Sequence, residues 1–155
     1  MFSSCHLVRE RFISLGKNVS IGRRISLTAY AIKGNNPEII IGDNTAIGGD
    51  CHITAINRIE IGSNVVFGEG ITVTDNSHGN ITFEEMHLHP FKRPLVSKGP
   101  VVVDDYVWIG DKSTILPNVK VGMGSVVGAN SVVVKDVSDY SVVAGNPARV
   151  VKTLS

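Results

Sequence analysis

A chain of 155 residues is long enough for one domain with a buried core and too short for two of ordinary size. Fifteen Lys and Arg against fourteen Asp and Glu leave a formal charge of +1, which gives no electrostatic footprint for nucleic acid or an anionic lipid surface. The chain is 43% hydrophobic, but its apolar residues come in short runs, far from the eighteen or so that a transmembrane helix needs. The first residues lack a basic start leading into an apolar stretch, so no secretory signal is read and the expected location is cytoplasmic. Cys5 and Cys51 are then read as free thiols.

Twenty-two Val and 16 Ile against 7 Leu, with 16 Gly, favour strands over helices. At the start of the chain, Leu7, Val8, Phe12 and Leu15 recur at helical spacing around Arg9, Glu10 and Arg11, which predicts a short capping helix over residues 4–15. A six-residue repeat comes next. Aliphatic residues stand at Ile41, Ile47 and Ile53, then at Ile61, Phe67 and Val73, with Thr45, Cys51, Asn57, Val65, Ile71 and Ser77 four places after each. Residues 79–100 fit no hexapeptide and predict a loop that leaves the repeat and rejoins it near Val101. From Val103 the repeat runs through Ile109, Ile115, Val121, Val127 and Val133, with Val107, Ser113, Val119, Ser125, Ser131 and Val137 at the fourth following position. Ile21-Gly22, Ile41-Gly42 and Ile61-Gly62 are spaced by twenty, which is three hexapeptides and two corner residues.

A period of six suits neither an amphipathic helix nor a continuous strand; it suits a short strand and a corner. Three units close a triangular rung of about eighteen residues, and rungs stack as parallel strands about 4.8 Å apart. The first aliphatic of each unit fills the axis, the small fourth residue sits near a corner, and the sixth faces outward. With this pattern the chain resembles the hexapeptide-repeat acyltransferases from about Val19 to Lys152, and is most similar to the sugar O-acetyltransferases, including maltose and galactoside enzymes and those of surface-polysaccharide synthesis. The resemblance implies an all-β fold, a left-handed parallel β-helix with a short capping helix and one protruding loop. A single domain 1–155 would then divide into a cap at 1–18, rungs at 19–78 and 101–138, the loop at 79–100, and a coenzyme-binding segment at 139–155.

His78 stands five residues after Val73, an outward position at the end of a rung where the loop begins. It follows the inward Ile61 by seventeen residues, as the catalytic histidine of the sugar acetyltransferases follows its Ile-Gly pair. The resemblance therefore implies transfer of acetyl from acetyl-CoA to a hydroxyl, with His78 as general base and no metal or covalent intermediate required. Such a base contributes about 100-fold to 10,000-fold. Asp75, Glu84 and Glu85 are the nearby carboxylates able to orient its ring, and nothing in the sequence chooses among them. Trp108, another outward sixth residue, is either a subunit contact or part of a thioester channel with Gly110 and Asp111. Gly128 to Asp136 and Ala144 to Lys152 are similar to the paired carboxy-terminal signature of the family. That similarity assigns Ala129 and Val134 to the pantetheine track and Lys135, Arg149 and Lys152 to the nucleotide phosphates. The sequence departs from the family with Val134 where Thr is frequent, Lys152 where Arg is common, and Gly48 where the maltose and galactoside enzymes carry an acceptor-binding Asn.

Phe83 and His87 in the loop are candidates for acceptor binding. A saccharide hydroxyl is the leading acceptor, with an amine on an amino sugar or a drug as the alternative. The resemblance also implies a homotrimer with shared active sites, and the outward Val66, Val126 and Val132 independently call for a covered face. Two other classes stand beside this reading. One is a zinc site built from His52, His87 and His89 in the manner of the γ-class carbonic anhydrases, whose spacing these residues do not reproduce; the other is a non-catalytic solenoid.

Overall fold

The computed structural model describes residues 5–32 and 34–154, which wind into a column with three flat faces. Cys5–Val8, Ile25–Ala29, His52–Ala55, Thr72–Thr74, Thr114–Ile115 and Val132–Val133 form the first face, each strand parallel to the next. Ile13–Leu15, Glu38–Ile41, Arg58–Ile61, Val101–Val103 and Lys120–Val121 form the second. The third runs from Ser20–Ile21 through Ala46–Ile47, Val66–Phe67, Trp108–Ile109 and Val126–Val127 to Ser141–Gly145, against which Ala148–Thr153 folds back antiparallel. No helix among the described residues is long and apolar enough to cross a membrane.

Register places like over like. Leu27, Ile53, Val73, Ile115 and Val133 stack along the first face, while Ile41, Ile61, Val103 and Val121 do so along the second. All are buried on the axis, each stabilising the column by about 1.5–3 kcal/mol relative to exposure. Corners between faces demand a left-handed backbone at one fixed position. Asn18, Asn44, Asn64 and Tyr106 supply it between the second and third faces, and Arg24, Asp50, Lys112 and Asn130 between the third and first. Asparagine dominates because it tolerates positive φ better than most residues with a Cβ.

A corner also leaves amides with no strand to pair with. Aspartates one turn further along the coil accept them: Asp43 from Lys17 at 2.7 Å, Asp105 from Ser63 at 2.7 Å, Asp136 from Lys120 at 2.8 Å and Asp139 from Met123 at 3.0 Å. Each carboxylate satisfies a donor that would otherwise depend on water.

Turn length varies, and the excess falls at one place. Val103 lies beside Val121, 18 residues on, but Ile41 beside Ile61 at 20, Leu27 beside Ile53 at 26, and Val73 beside Ile115 at 42. The surplus residues sit at the corner between the first and second faces, as segments 30–37, 56–57 and 75–100. At this corner the expected six-residue frame fails. Asn57 and Ser77 are exposed, while Ile56 and Asp75 turn inward.

The helix expected over residues 4–15 does not form in the part described. Cys5–Val8 pairs with Ile25–Thr28 and Ile13–Leu15 with Ile39–Ile41, joined by a single 3-10 turn at Glu10–Phe12. So short a helix is marginal in water, whereas the edge of the coil offers a hydrogen-bond ladder and an apolar seat for Leu7, Phe12 and Ile13. The coil thus begins before Val19 rather than beneath a helical cap.

Asp75 is the brace of the widened corner. Its side chain is fully buried, and its two oxygens accept the amides of Ile56 at 2.9 Å and Asn57 at 2.8 Å. The Asn76 side-chain amide also donates to it at 3.0 Å. Asp75→Ala orphans these donors, and a loss of about 2–5 kcal/mol is expected. Chemical denaturation followed by circular dichroism measures it; an unchanged midpoint would refute the brace.

Candidate active site

After Thr74 the chain leaves the column as an ordered arm. Asn76–His78 pairs antiparallel with Leu95–Ser97, placing His78 opposite Leu95, and the Gly79 amide donates to Pro94 O at 2.7 Å. Further out, Thr82 caps the short helix Phe83–Met86, and Pro90–Lys92 forms a 3-10 turn. Arg93 closes the tip by donating to Leu88 O at 3.1 Å and Met86 O at 3.3 Å. The unmatched segment of the sequence is therefore a strand pair with a folded tip, and its base fixes the backbone of His78.

The His78 side chain is exposed, and its ring lies edge-on to Phe91 with centroids 5.9 Å apart. It stands between two clefts. One, of about 430 Å³, extends towards the later rungs and is lined by Ser77, Ile81, Lys98, Leu116, Pro117 and Val134 beside His78. The other, of about 480 Å³, extends towards the earlier rungs over Tyr30, His52, Thr54, Thr72, Phe91 and Leu95. Thr74 and Asn76 border both. An imidazole reached from two sides can pass a proton between molecules bound in each.

None of the three carboxylates expected beside His78 hydrogen-bonds to it among the described residues. Asp75 is occupied at its corner by the amides of Ile56 and Asn57. Glu85 accepts from the Asn80 backbone amide and, at 3.1 Å, from the Asn80 side chain, so it braces the arm. Glu84 lies exposed in the first turn of the arm helix. Phe83 and His87 pack on each other with centroids 4.6 Å apart, and His87 Nδ1 lies 2.7 Å from Phe83 O. Both face solvent on the arm and line neither cleft, so within this chain they do not join His78.

The residues assigned to a coenzyme divide into three places. Val134 reaches the cleft of His78. Lys135 and Arg149 share a separate cleft of about 240 Å³ with Asp136 and Ala148, and Lys152 lies on the adjoining hairpin opposite Val142. Trp108, 56% exposed, belongs to the third face, in an outward row with Val66, Val126 and Val142, and so is not beside His78 within one chain. Asp111 is another corner brace, accepting the Glu69 amide at 2.9 Å. Gly110 lies under Ala129, whose amide nitrogen a Cβ would approach to 2.6 Å. Ala129 itself is exposed at the corner. Gly48 follows the same packing rule as Gly110. In this chain a Cβ there would overlap the Gly68 carbonyl, so the corner as it stands leaves no room for a side chain.

The histidines considered for zinc are separately engaged. His52 Nε2 lies 2.6 Å from Thr54 Oγ1, His87 meets Phe83 O, and His89 accepts the Phe91 amide at 3.3 Å. Among the described residues no three metal-ligating side chains converge. Cys51 is buried against the Gly68 carbonyl at 3.4 Å, and burial pushes its thiol up from the ordinary value, which suits a core residue and not a nucleophile. The sequence reading missed Phe91, Tyr30, His52 and Lys98 as cleft residues. A signal existed for Tyr30, since it opens the segment 30–37 that falls outside the hexapeptide frame.

The family model for bacterial transferase hexapeptide (six repeats) matches residues 100–135. WbbJ of Escherichia coli K12, named as a lipopolysaccharide biosynthesis O-acetyl transferase, is 31% identical over 152 residues, which cover 96% of this chain and 75% of that protein. Among solved structures, the hexapeptide-repeat acetyltransferase VCA0836 of Vibrio cholerae, complexed with acetyl coenzyme A, superposes with a TM-score of 0.77 at 28% identity, covering 94% of this chain and 74% of that one. A galactoside acetyltransferase in complex with coenzyme A also gives 0.77, at 27% identity over 94% of this chain and 68% of that one. A three-sided coil of hexapeptides that carries an imidazole on an ordered arm defines a class, and these likenesses place the chain within it. It belongs to the hexapeptide-repeat acyltransferases, and its coil is the left-handed parallel β-helix of that family.

Proposed function

We propose that this chain transfers acetyl from acetyl-CoA to a hydroxyl of a saccharide, with His78 as general base. The observation that carries the reading is the exposed His78 imidazole standing between two clefts. The later-rung cleft, with Leu116, Pro117 and Val134, offers an apolar track for the thioester arm. The cleft on the other side, rich in hydroxyls and flanked by aromatic rings, receives the acceptor. Lys135, Arg149 and Lys152 provide cations for the phosphates of the coenzyme.

In the reaction, His78 takes the acceptor proton as its oxygen attacks the thioester carbonyl. The tetrahedral intermediate then expels sulfur, breaking the carbon–sulfur bond, and the imidazolium returns its proton to the leaving thiolate. Holding both substrates against one base supplies the orientation term, and no acyl-enzyme is needed. The names and ligands of the relatives support this chemistry: an O-acetyl transferase of lipopolysaccharide biosynthesis and an acetyltransferase complexed with acetyl coenzyme A.

The working unit in this reading is a homotrimer. Val66, Trp108, Val126 and Val142 form an apolar row down the third face, longer than a face in water normally carries. Setting that face against the first face of a neighbouring copy covers the row and brings Trp108 to the His78 clefts, which one chain alone does not do. Light scattering is expected to give three times the chain mass, and Val66→Glu to give a monomer that has lost activity. A monomeric mass for the unaltered protein at assay concentration would exclude the arrangement.

Two substitutions test the chemistry. His78→Ala removes an exposed ring, so the fold and assembly are expected to persist while kcat falls by about 100-fold or more. Turnover near that of the unaltered enzyme, measured by release of free thiol, would remove His78 from the mechanism. Lys135→Ala with Arg149→Ala is expected to raise KM for acetyl-CoA about tenfold or more and leave the acceptor KM unmoved. Equal effects on both substrates would show that these cations do not serve the coenzyme.

A further inference from the structure

The earlier-rung cleft carries chemical information about the acceptor that the proposed reaction does not use. Its walls are aromatic and come from the two longer insertions at one corner, Tyr30 from segment 30–37 and Phe91 from the arm. Its floor is the outward row of the first face, where Thr72 lies beside His52 and Thr74 beside Thr54 in register. Among the described residues no Asp or Glu lines it, and its titratable groups there besides the Tyr30 phenol are the imidazoles of His52 and His78. The His52 ring is pinned, because Nε2 lies 2.6 Å from the hydroxyl of Thr54, two residues along the same strand. Its Nδ1 has no hydrogen-bond partner among the described residues and remains available to a ligand.

Resting on the acetyl-transfer reading, we propose that this cleft selects a saccharide presenting hydroxyls and no ammonium group, and that His52, held by Thr54, binds that acceptor and sets it against His78. Two aromatic side chains suit the apolar faces of a sugar ring, and a floor of threonine hydroxyls and imidazole suits its hydroxyl edge. An ammonium group would enter the same space with no carboxylate to receive it. A charge desolvated without a partner is costly, so the cleft favours the uncharged hydroxyl. The selection is thus one of charge, made by what the cleft omits as well as by what it offers.

The test is steady-state kinetics near neutral pH on acceptor pairs differing in one substituent, such as glucose against glucosamine, with product analysis to separate ester from amide. The unaltered enzyme is expected to show kcat/KM for the amino sugar at least about tenfold below that for its hydroxyl counterpart. His52→Ala is expected to raise the acceptor KM about tenfold while kcat and the KM for acetyl-CoA stay within about threefold, since one hydrogen bond to a ligand is at stake. His52→Gln, which keeps a side-chain donor and acceptor, should recover part of the loss, and Thr54→Val, which frees the ring, should show a smaller rise of the same kind. An amino sugar used as well as its hydroxyl counterpart, or an acceptor KM unmoved in His52→Ala, overturns the proposal while saccharide acetylation stands. Absence of His78-dependent transfer to any saccharide overturns the parent reading as well, so the two failures are distinguishable.

Discussion

The constraint on which the structure depends is that every turn of the coil must return to the same azimuth. Parallel strands of only two to five residues form few hydrogen bonds each, and the column exists because each strand finds a partner directly above and below. Leu27, Ile53, Val73, Ile115 and Val133 overlie one another only if the residues between them close a full triangle. A turn of 18 residues does so unaided. Any longer turn must expel its surplus at a corner, because surplus within a strand would move the aliphatic residues out of the register that stacks them on the axis.

That requirement explains why the site lies where it does. The surplus in segments 30–37, 56–57 and 75–100 leaves at one corner, so the insertions stack beside one another along the coil. Two of them supply Tyr30 and Phe91 to the same cleft although sixty-one residues separate these positions in sequence. The rigid column fixes the floor of hydroxyls, and the insertions, free of the six-residue rule, carry the walls. His78 lies at the junction, close enough to Thr74 to inherit the rigidity of the first face and far enough along the arm to point outward.

The coil was legible in the sequence because its period is rigid. The axis residues from Val103 to Val133 fall where the hexapeptides place them, and Ser113, Ser125 and Ser131 are buried near corners as expected of small fourth residues. The sequence misled elsewhere: Ile21 stacks on Ile47 and not on Ile41 twenty residues on, and two further expectations failed for different physical reasons. Residues 5–15 satisfy a helical pattern locally, but tertiary hydrogen bonding to the next rung outweighs that local preference. Asp75 stands three residues before His78 and looks like a partner for it, yet the recurring need to satisfy corner amides claims it, as it claims Asp43, Asp105, Asp111, Asp136 and Asp139. Sequence proximity carried no orientation here. The clefts were illegible for a related reason, since the meeting of Tyr30 and Phe91 at one cleft follows no period.

The distribution of site residues over the faces has its own logic. Outward positions on a hexapeptide coil repeat along each face, so a face is either polar and open or apolar and covered along much of its length. The first face carries His52, Thr72 and Thr114 outward and ends in Val132, which therefore does not share the row of Val66, Trp108 and Val126 on the third face as expected. In the proposed trimer the apolar face of each copy is set against a neighbour, which covers it from water. On the proposed reading two extended substrates, a thiol arm and a sugar, lie along the clefts that each prism lines on its own side of His78. Assembly would add a wall from the neighbouring copy, and the row that buries the interface would carry Trp108 to the imidazole. Stability and catalysis then depend on the same contact, so substitutions that loosen the third face should cost activity before they cost the fold of the column.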